Sequence, residues 1–393
     1  MKIVALHTDF RVYWPARLKQ LSLDLAIRGD ELIVIEIAGK GSPYAFSEKV
    51  NSDSINWVCL FPDEKIEDVV PAIAKKRVVE KLDEIKPEVV LSGAIAFTSG
   101  AAAVYWAKKN NKSVVIFDDS KLENVKRNVI VNLVKKIIYS NVDAILCPTE
   151  DWLDTYTFWG FESSAVFFGV DVVDNSFWGK KVNPIDNPDR YILSVGRQIQ
   201  RKNFHTIISA FIKFYNKSSN PDLKLLLIGE GPERDGLELL SEELKNKIIF
   251  LPFQTPVELR RIYQNATAFV LASYYEQWGL VINEAMAAVL PIIASKQLGC
   301  TNSLVHNNEN GFVFDANNET ELVDIFLKIS SLTDEDLDKM GSMSKTIISE
   351  WGLDRFSSGA IAAIDYSIKN KKNNKSLFSK VLLSKWTGRY NQG

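Results

Sequence analysis

The sequence predicts an α/β protein made of two doubly wound parallel-sheet domains. Three observations carry that prediction. Short apolar runs alternate with helix-like stretches over most of the chain, which is the pattern of repeated βαβ units. The runs are apolar throughout rather than at every second residue, as strands covered on both faces must be. The chain has 393 residues, more than one hydrophobic core organises, and the alternation is interrupted once, so two domains are expected.

In chain order the first half offers the strand-like runs KIVAL, ELIVIEIA, INWVCLF, EVVLSG, SVVIFDD and DAILCPT. Helical patterns stand between them, PARLKQLSLDLAIRGDE after the first run and Ile73 to Ile85 before the fourth. The stretch VDNSFWGKKVNPIDNPDR, Val173 to Arg190, is rich in Asn, Asp, Pro and Gly and reads as a linker. The alternation then restarts with RYILSVG, LKLLLIGEG, KIIFLPF, TAFVLAS, PIIAS and GFVFD, with helices expected over Asn203 to Tyr215 and Pro256 to Gln264. The expected boundaries are 1–175 for the N-terminal domain, 176–189 for the linker, 190–355 for the C-terminal domain and 356–393 for closing helices and a basic tail.

Composition narrows the function. A formal net charge of -2 argues against a dedicated nucleic-acid binder, which needs a basic footprint to offset phosphate charge. Cys59, Cys147 and Cys300 are far apart and in no C-x-x-C spacing, so neither a disulfide framework nor a zinc site is suggested, and a reducing cytoplasm fits. The opening MKIVALHTDF is too short an apolar run for a signal peptide. Nowhere do about 18 uncharged apolar residues run together. A cytoplasmic location is expected.

Ligands of open α/β sheets sit beyond the carboxyl ends of the strands, and two such domains facing each other leave a cleft there. After RYILSVG come Arg197, Arg201 and Lys202, a cluster of cations leading into a helix. After LKLLLIG comes Glu230-Gly231-Pro232, where bare backbone at Gly229 and Gly231 admits close approach. After TAFVLAS comes YYEQWGLVINEAMAAVLPIIAS, which holds Glu276 and Glu284 around the start of an apolar helix near Gly279. Cations suit a diphosphate, a helix N-terminus suits phosphate or sugar oxygens, and carboxylates accept from vicinal diols. Together they suggest a nucleoside diphosphate joined to a group rich in hydroxyls. A divalent ion is not expected, since the DxD-like match Asp334-Glu335-Asp336 falls on an exposed-looking late helix.

The segments SVGRQIQRKNFHTIISAF, GEGP and YYEQWGLVINEAMAAVLPIIAS, with the stretch through GFVF after them, resemble the retaining glycosyltransferases of family 4. FFGVDVVDNSFW, Phe167 to Trp178, resembles the interdomain stretch of a bacterial branch that makes surface polysaccharides. The resemblance implies the GT-B fold, two Rossmann-like domains facing a cleft, with an N-terminal acceptor-binding domain, a C-terminal domain binding the nucleotide-sugar donor, and a last helix that crosses back to the N-terminal domain. It implies a metal-independent hexosyltransferase in polysaccharide or glycolipid biosynthesis, with a nucleotide diphosphate sugar as co-substrate, no other cofactor, and a glycan or lipid-linked acceptor. Residue by residue, Arg197 and Lys202 match the basic pair that binds the diphosphate and stabilises it as it leaves. Glu276 matches the acid beside the transferred sugar, and Glu284 the acid that holds the ribose. Gly196, Gly229, Gly231 and the backbone of Trp278, Gly279 and Leu280 complete the donor site. Retention implies attack on the face from which the nucleotide leaves, with a donor phosphate oxygen as base.

Two places depart from the family. HTDFRVYWPARL has no glycine before Gly29 where many members carry Gly-Gly, and Arg11 stands in that turn. VVIFDDS has Asp118 and Asp119 where many carry a histidine, and His7, His205 and His306 stand elsewhere. Arg11, Asp118 and Asp119 are therefore candidates for acceptor or sugar contact. Either aspartate also fits a general base or the N-cap of the next helix. A nucleotide-sugar epimerase or hydrolase of the same fold, and a non-catalytic nucleotide-sugar binder, remain alternatives.

The tail from Lys369 carries Lys371, Lys372, Lys375, Lys380, Lys385 and Arg389 without an acid, and Leu377, Phe378, Val381, Leu382 and Trp386 recur at helical spacing. KRNVIVNLVKKII, Lys126 to Ile138, has a similar character. Such stripes fit packing on the N-terminal domain. The lysines fit peripheral contact with an anionic membrane on its inner face.

Overall fold

The computed structural model describes residues 1–40, 55–125, 127–182, 190–218, 222–373 and 376–389. It divides into two compact units, the first Met1–Val172 with Leu353–Gly393 and the second Val173–Gly352.

The first unit is a parallel sheet of β1 (Lys2–His7), β2 (Glu31–Lys40), β3 (Asn56–Lys65), β4 (Val89–Ser92), β5 (Ser113–Phe117), β6 (Ala144–Cys147) and β7 (Val166–Phe168), in the order β3-β2-β1-β4-β5-β6-β7. Each inner strand is buried on both faces; Ile3, Val4, Ala5 and Leu6 are fully inaccessible, which is why the strands read as unbroken apolar runs. The order reverses between β1 and β4, where Leu6 lies level with Ser92, so the crevice beyond His7 and Gly93 is this sheet's switch point. Helices α1 (Trp14–Ile27), α2 (Pro71–Ile85), α3 (Thr98–Lys109), α4 (Val129–Tyr139) and α5 (Leu153–Phe158) connect the strands. Seven strands appear where the sequence showed six runs. Val166–Phe168 is too short to announce itself, and it lies in the stretch read as leading to the linker.

The second unit is a parallel sheet of β8 (Arg190–Val195), β9 (Leu223–Ile228), β10 (Ile248–Leu251), β11 (Ala268–Leu271), β12 (Ile292–Ser295) and β13 (Gly311–Phe314), in the order β10-β9-β8-β11-β12-β13. Its switch point falls between β8 and β11. Its helices are α6 (Asn175–Trp178), α7 (Phe204–Lys217), α8 (Arg234–Leu240), α9 (Pro256–Gln264), α10 (Leu280–Ala287), α11 (Thr301–Leu304), α12 (Glu319–Ser331) and α13 (Asp334–Ser349). The core packs Phe204, Phe211 and Phe214 of α7 against Phe326 of α12 and the strand residues Leu225, Leu227 and Val270. Part of the stretch read as a linker is structured: Asp174 caps α6, its Oδ1 accepting from the Phe177 N–H at 3.0 Å, and Trp178 is buried. The remainder of that linker, 183–189, lies outside the described residues.

Asp334, Glu335 and Asp336 open α13. Asp336 completes a capping box with Thr333, so these acids serve the helix start.

The chain finishes on the first unit, with α14 (Leu353–Lys369) and α15 (Leu377–Lys385). Phe356, Ala360, Ala363 and Ile364 of α14 fill the same core as Ile3, Leu18 and Leu146. Arg28 clamps Asp365 with two hydrogen bonds, at 2.7 and 3.2 Å. Lys75 of α2 donates to the carbonyls of Leu383, Ser384 and Trp386, closing the carboxyl end of α15. Lys75 is thereby the cation expected at such an end, supplied from another helix.

Candidate functional site

In the second unit two strand ends meet at the switch point. β8 runs out into Gly196, Arg197 and Gln198, then a 3-10 turn over Gln200–Lys202, then α7. Asn203 makes the bend between them in the left-handed region at φ 56°, and its side-chain amide donates to the carbonyls of Ala272 and Ala316, both at 3.1 Å. Those two bonds fasten the loop after β8 to the end of β11, through Ala272, and to the end of β13, through Ala316. The Tyr274 N–H adds a third tie, donating to the Arg201 carbonyl at 2.9 Å.

The result is an ion pair across the switch point. Lys202 Nζ lies 2.6 Å from Glu276 Oε1, and the Ser273 hydroxyl donates to the same oxygen at 2.9 Å. Arg201 faces the other oxygen at 3.8 Å and stands over the Tyr275 ring. Glu276 is only 8 % exposed, so its charge is held mainly by these donors rather than by water. Arg197 and Lys202 were expected to bind a diphosphate together; in the structure Lys202 pairs with Glu276, and Arg197 is exposed with no ion pair among the described residues.

Two of the glycines have a packing reason of their own. A Cβ on Gly229, whose φ is +137°, would come to 2.0 Å from the Gly196 carbonyl oxygen, and one on Gly231 to 2.2 Å from that of Gln198. The bare backbone after β9 is therefore taken up by the turn after β8. The Gly196 N–H donates to the Ile228 carbonyl, and the Gln198 N–H to that of Glu230. Gly196 differs from Gly229 and Gly231 in having room above it, with the Lys202 side chain 3.6 Å from the place of a Cβ.

Gly279 starts α10 from the left-handed region at φ 110°. The N–H groups of Gly279 and Leu280 have no acceptor among the described residues, which leaves a positive helix end open beside Glu276. Trp278 is buried, donating from its indole to Asn283 at 2.9 Å and packing against Trp351. Glu284 lies inside α10, 3 % exposed, with Oε2 accepting from the Tyr263 hydroxyl at 2.8 Å. Tyr263 and Ser273 carried no signal in the sequence, since both read as ordinary helix and strand residues. Gln198 was missed as well. It is fully buried, and its side-chain amide has no partner among the described residues.

The first unit gathers its own polar set at the end of β1. The His7 ring is surrounded by Phe10, Trp14, Phe97 and Phe117, with centroids 5.2 to 6.1 Å away. Gly93 is required there, because a Cβ would meet His7 Nδ1 at 2.6 Å. Burial pushes the imidazole down to about 4, so it is neutral at pH 7. Arg11 pairs with Asp9 at 3.1 Å and donates to the Gly39 carbonyl. Burial pushes Asp9 up to about 6 against the pull of Arg11. In place of a glycine turn the loop holds Val12 at φ 58°, a strained conformation for a β-branched residue.

Asp118 and Asp119 part company. Asp118 is buried; Oδ1 accepts from the Ser120 N–H and Oδ2 from the Tyr139 hydroxyl, both at 3.0 Å. It is no N-cap, because α4 is capped by Asn128. Asp119 is half-buried and is pushed well up, first by burial and then by Asp171 and Asp118. Asp171 itself is raised to about 6 by burial, offset by Arg17, which lies 3.8 Å away and donates twice to the Val172 carbonyl. Arg17 and Asp171 sit far apart in the sequence, so nothing there joined them to Asp119.

Comparison with known proteins bears on the second unit first. Residues 179–346 match the family model described as Glycosyl transferases group 1. The chain is also 26 % identical over 341 residues to an uncharacterized glycosyltransferase of Haemophilus influenzae, covering 83 % of this chain and 91 % of that one. A lipopolysaccharide core biosynthesis glycosyltransferase of Rhizobium meliloti, LpsE, is 28 % identical over 183 residues, 45 % of this chain and 51 % of the relative. Among solved structures, a glycosyltransferase from Rickettsia africae superposes with a TM-score of 0.75 at 15 % identity, covering 94 % of this chain and 99 % of that one. Anabaena HepE, solved with UDP, gives 0.71 at 15 % identity, covering 93 % and 100 %. The fold is that of GT-B glycosyltransferases, and the matches to group 1 support a glycosyltransferase.

Proposed function

We propose that this chain is a retaining, family 4 glycosyltransferase that moves a hexose from a nucleotide diphosphate sugar to a glycan or lipid-linked acceptor, without a metal ion, in polysaccharide or glycolipid biosynthesis. The observation that carries the proposal is the Lys202–Glu276 pair at the β8/β11 switch point, beside the open start of α10. Without a donor, the cation and the carboxylate hold each other. A diphosphate draws Lys202 toward its oxygens, helped by Arg197 and by the N–H groups of Gly279 and Leu280. Glu276 is then released to accept from hydroxyls of the sugar. Glu284, oriented by Tyr263, accepts from the ribose hydroxyls.

As the bond from the anomeric carbon to the diphosphate lengthens, negative charge grows on the leaving oxygen. Fixed cations bind that charge more strongly in the transition state than in the ground state, which is what lowers the barrier. Gly196 keeps space beside Lys202 for this change of partner. In the first unit Asp119 is the better acceptor contact of the two aspartates, since both oxygens of Asp118 are engaged. Solved complexes of Anabaena HepE with UDP and UDP-glucose support a nucleotide sugar as donor. The lipopolysaccharide core and alpha-monoglucosyldiacylglycerol names among the relatives support a glycan or lipid acceptor.

The test is incubation with uridine, guanosine and adenosine diphosphate sugars, with and without lipid-linked acceptors, while free nucleoside diphosphate is followed. Release that requires acceptor supports transfer. Acceptor-independent release points to a hydrolase, and no release from any donor removes the proposal.

A further inference from the structure

In the first unit, α4 and α15 lie side by side, tied by the Asn141 amide donating to the Ser379 hydroxyl at 2.7 Å. The buried residues of α15 are Ser379 and Leu383, one helical turn apart, and those of α4 are Ile138 and Tyr139 at its far end. Val134, Ile137 and Leu382 are half-buried, and the remaining apolar residues of the two helices are left in the open. Val129 is 82 % exposed, Ile130 72 %, Leu377 77 % and Phe378 66 %, with Leu133 and Val381 more than half exposed as well. The tail stripe is therefore only partly packed away, with Leu382 and Trp386 half-buried, and the start of α4 also leaves apolar side chains exposed. Patches of this kind mark a contact with another apolar phase or partner.

The charge carried by these two segments themselves is of one sign. No acidic residue occurs from Val125 to Ser140 or from Lys369 to Gly393, whereas the chain as a whole has a net charge of -2. The ammonium groups of Lys135 and Lys136 stand over the rings of Trp159 and Phe158 at 4.8 and 4.2 Å, and Lys136, Lys380 and Lys385 are exposed. Two tail lysines have other work: Lys371 donates to the Asn111 carbonyl, and Lys372 stands over Phe161. Lys126 and Lys375 lie outside the described residues.

We propose that the first unit docks on an anionic bilayer through α4 and α15, the apolar tips entering the headgroup boundary and the lysines meeting lipid phosphates. Long cationic side chains beside apolar tips are what an interface between water and lipid requires. A second copy of the chain is disfavoured as occupant, because it would bring like charges face to face. No helix among the described residues is long and apolar enough to span, so the contact is with the surface. The inference does not depend on the donor site.

Co-sedimentation of the full chain, without nucleotide sugar, tests it on vesicles of phosphatidylcholine alone and of phosphatidylcholine mixed with phosphatidylglycerol. Binding is expected on the anionic vesicles and is expected to weaken with salt. The triple variants Ile130→Ser/Leu133→Ser/Phe378→Ser and Lys136→Ser/Lys380→Ser/Lys385→Ser should each lower partitioning about tenfold or more. All six positions are exposed, so melting temperature should be unchanged and a folding defect is separable. The proposal is overturned by absent binding, by equal binding to neutral vesicles, or by variants that bind like the parent. A dimer that the same substitutions dissociate would equally overturn it.

Discussion

Lys202 Nζ and Glu276 Oε1 are 2.6 Å apart, and they come from loops that follow β8 and β11, adjacent strands at the point where the sheet order reverses. The pair is poorly solvated, with Lys202 14 % and Glu276 10 % exposed in their side chains. A pair in that position is both a structural tie and a charge store. Removing one partner leaves the other short of water. Lys202→Ala is therefore expected to destabilise the protein by roughly 1–3 kcal/mol, and Glu276→Gln in the same chain to restore part of the loss. Urea unfolding of the two single variants and the double variant measures the coupling. Strictly additive losses would mean that the ion pair contributes nothing to folding.

The two glutamates differ in their surroundings. Glu284 is held by the Tyr263 hydroxyl within α10, while Glu276 stands before that helix among cations. Glu284→Gln should weaken binding of free nucleoside diphosphate about tenfold, and Glu276→Gln should leave that binding intact or tighter, since Lys202 no longer has a carboxylate to leave, while lowering turnover. Calorimetric titration and turnover assays on both variants check the division. Equal effects in the two assays would merge the roles.

His7 carries a pH prediction. Its folded-state pKa is lowered to about 4 by burial among aromatic rings, below the 6.5 of an exposed imidazole. The unfolded chain thus takes up a proton that the folded chain refuses between those values, so this contribution to stability is full above 6.5 and is lost as pH falls toward 4. It amounts to at most about 3 kcal/mol. Asp9 and Asp171, both raised to about 6, act in the opposite sense over part of the range, so the measurement must be specific to the residue. An NMR titration of the three histidine rings should find one that stays neutral to about pH 4 and that disappears in His7→Asn. Three ordinary titrations would show that the ring is open to water.

Val12 holds a left-handed conformation at φ 58° and is 41 % exposed, so strain there is not offset by core packing. Val12→Gly should stabilise the protein by about 1 kcal/mol, the relief of strain outweighing the added freedom of the unfolded chain. A lower urea midpoint for the variant would mean that the loop depends on the valine side chain.

What the sequence made legible was what strand burial and strand ends display locally. Two parallel sheets follow from runs such as KIVAL and TAFVLAS, which are buried on both faces. Arg197, Lys202 and Glu276 were visible because each follows a strand, and Glu284 because it lies in the apolar helix with seven residues between it and Glu276. Their pairing was not, since Lys202 meets Glu276 through a bend fixed by Asn203 and its bonds to Ala272 and Ala316, which no spacing shows. Gly229 and Gly231 were visible as glycines, but the sequence does not tell a ligand from a neighbouring carbonyl as the reason for them. Strand β7 escaped notice because three residues carry no period, and the Arg17–Asp171 contact because it joins places far apart in the chain.

The central claim is that a nucleoside diphosphate binds at the β8/β11 switch point by taking Lys202 from Glu276. Titration of UDP, GDP and ADP into the protein and into Lys202→Ala, with folding of the variant checked by its circular dichroism, tests that claim most directly. The account predicts measurable binding of at least one of the three and an affinity about tenfold or more lower in the variant, since a charge-assisted contact to phosphate is worth at least about 1.4 kcal/mol. A folded Lys202→Ala protein that binds the same nucleotide as tightly as the parent would contradict it, as would a parent protein that binds none of the three.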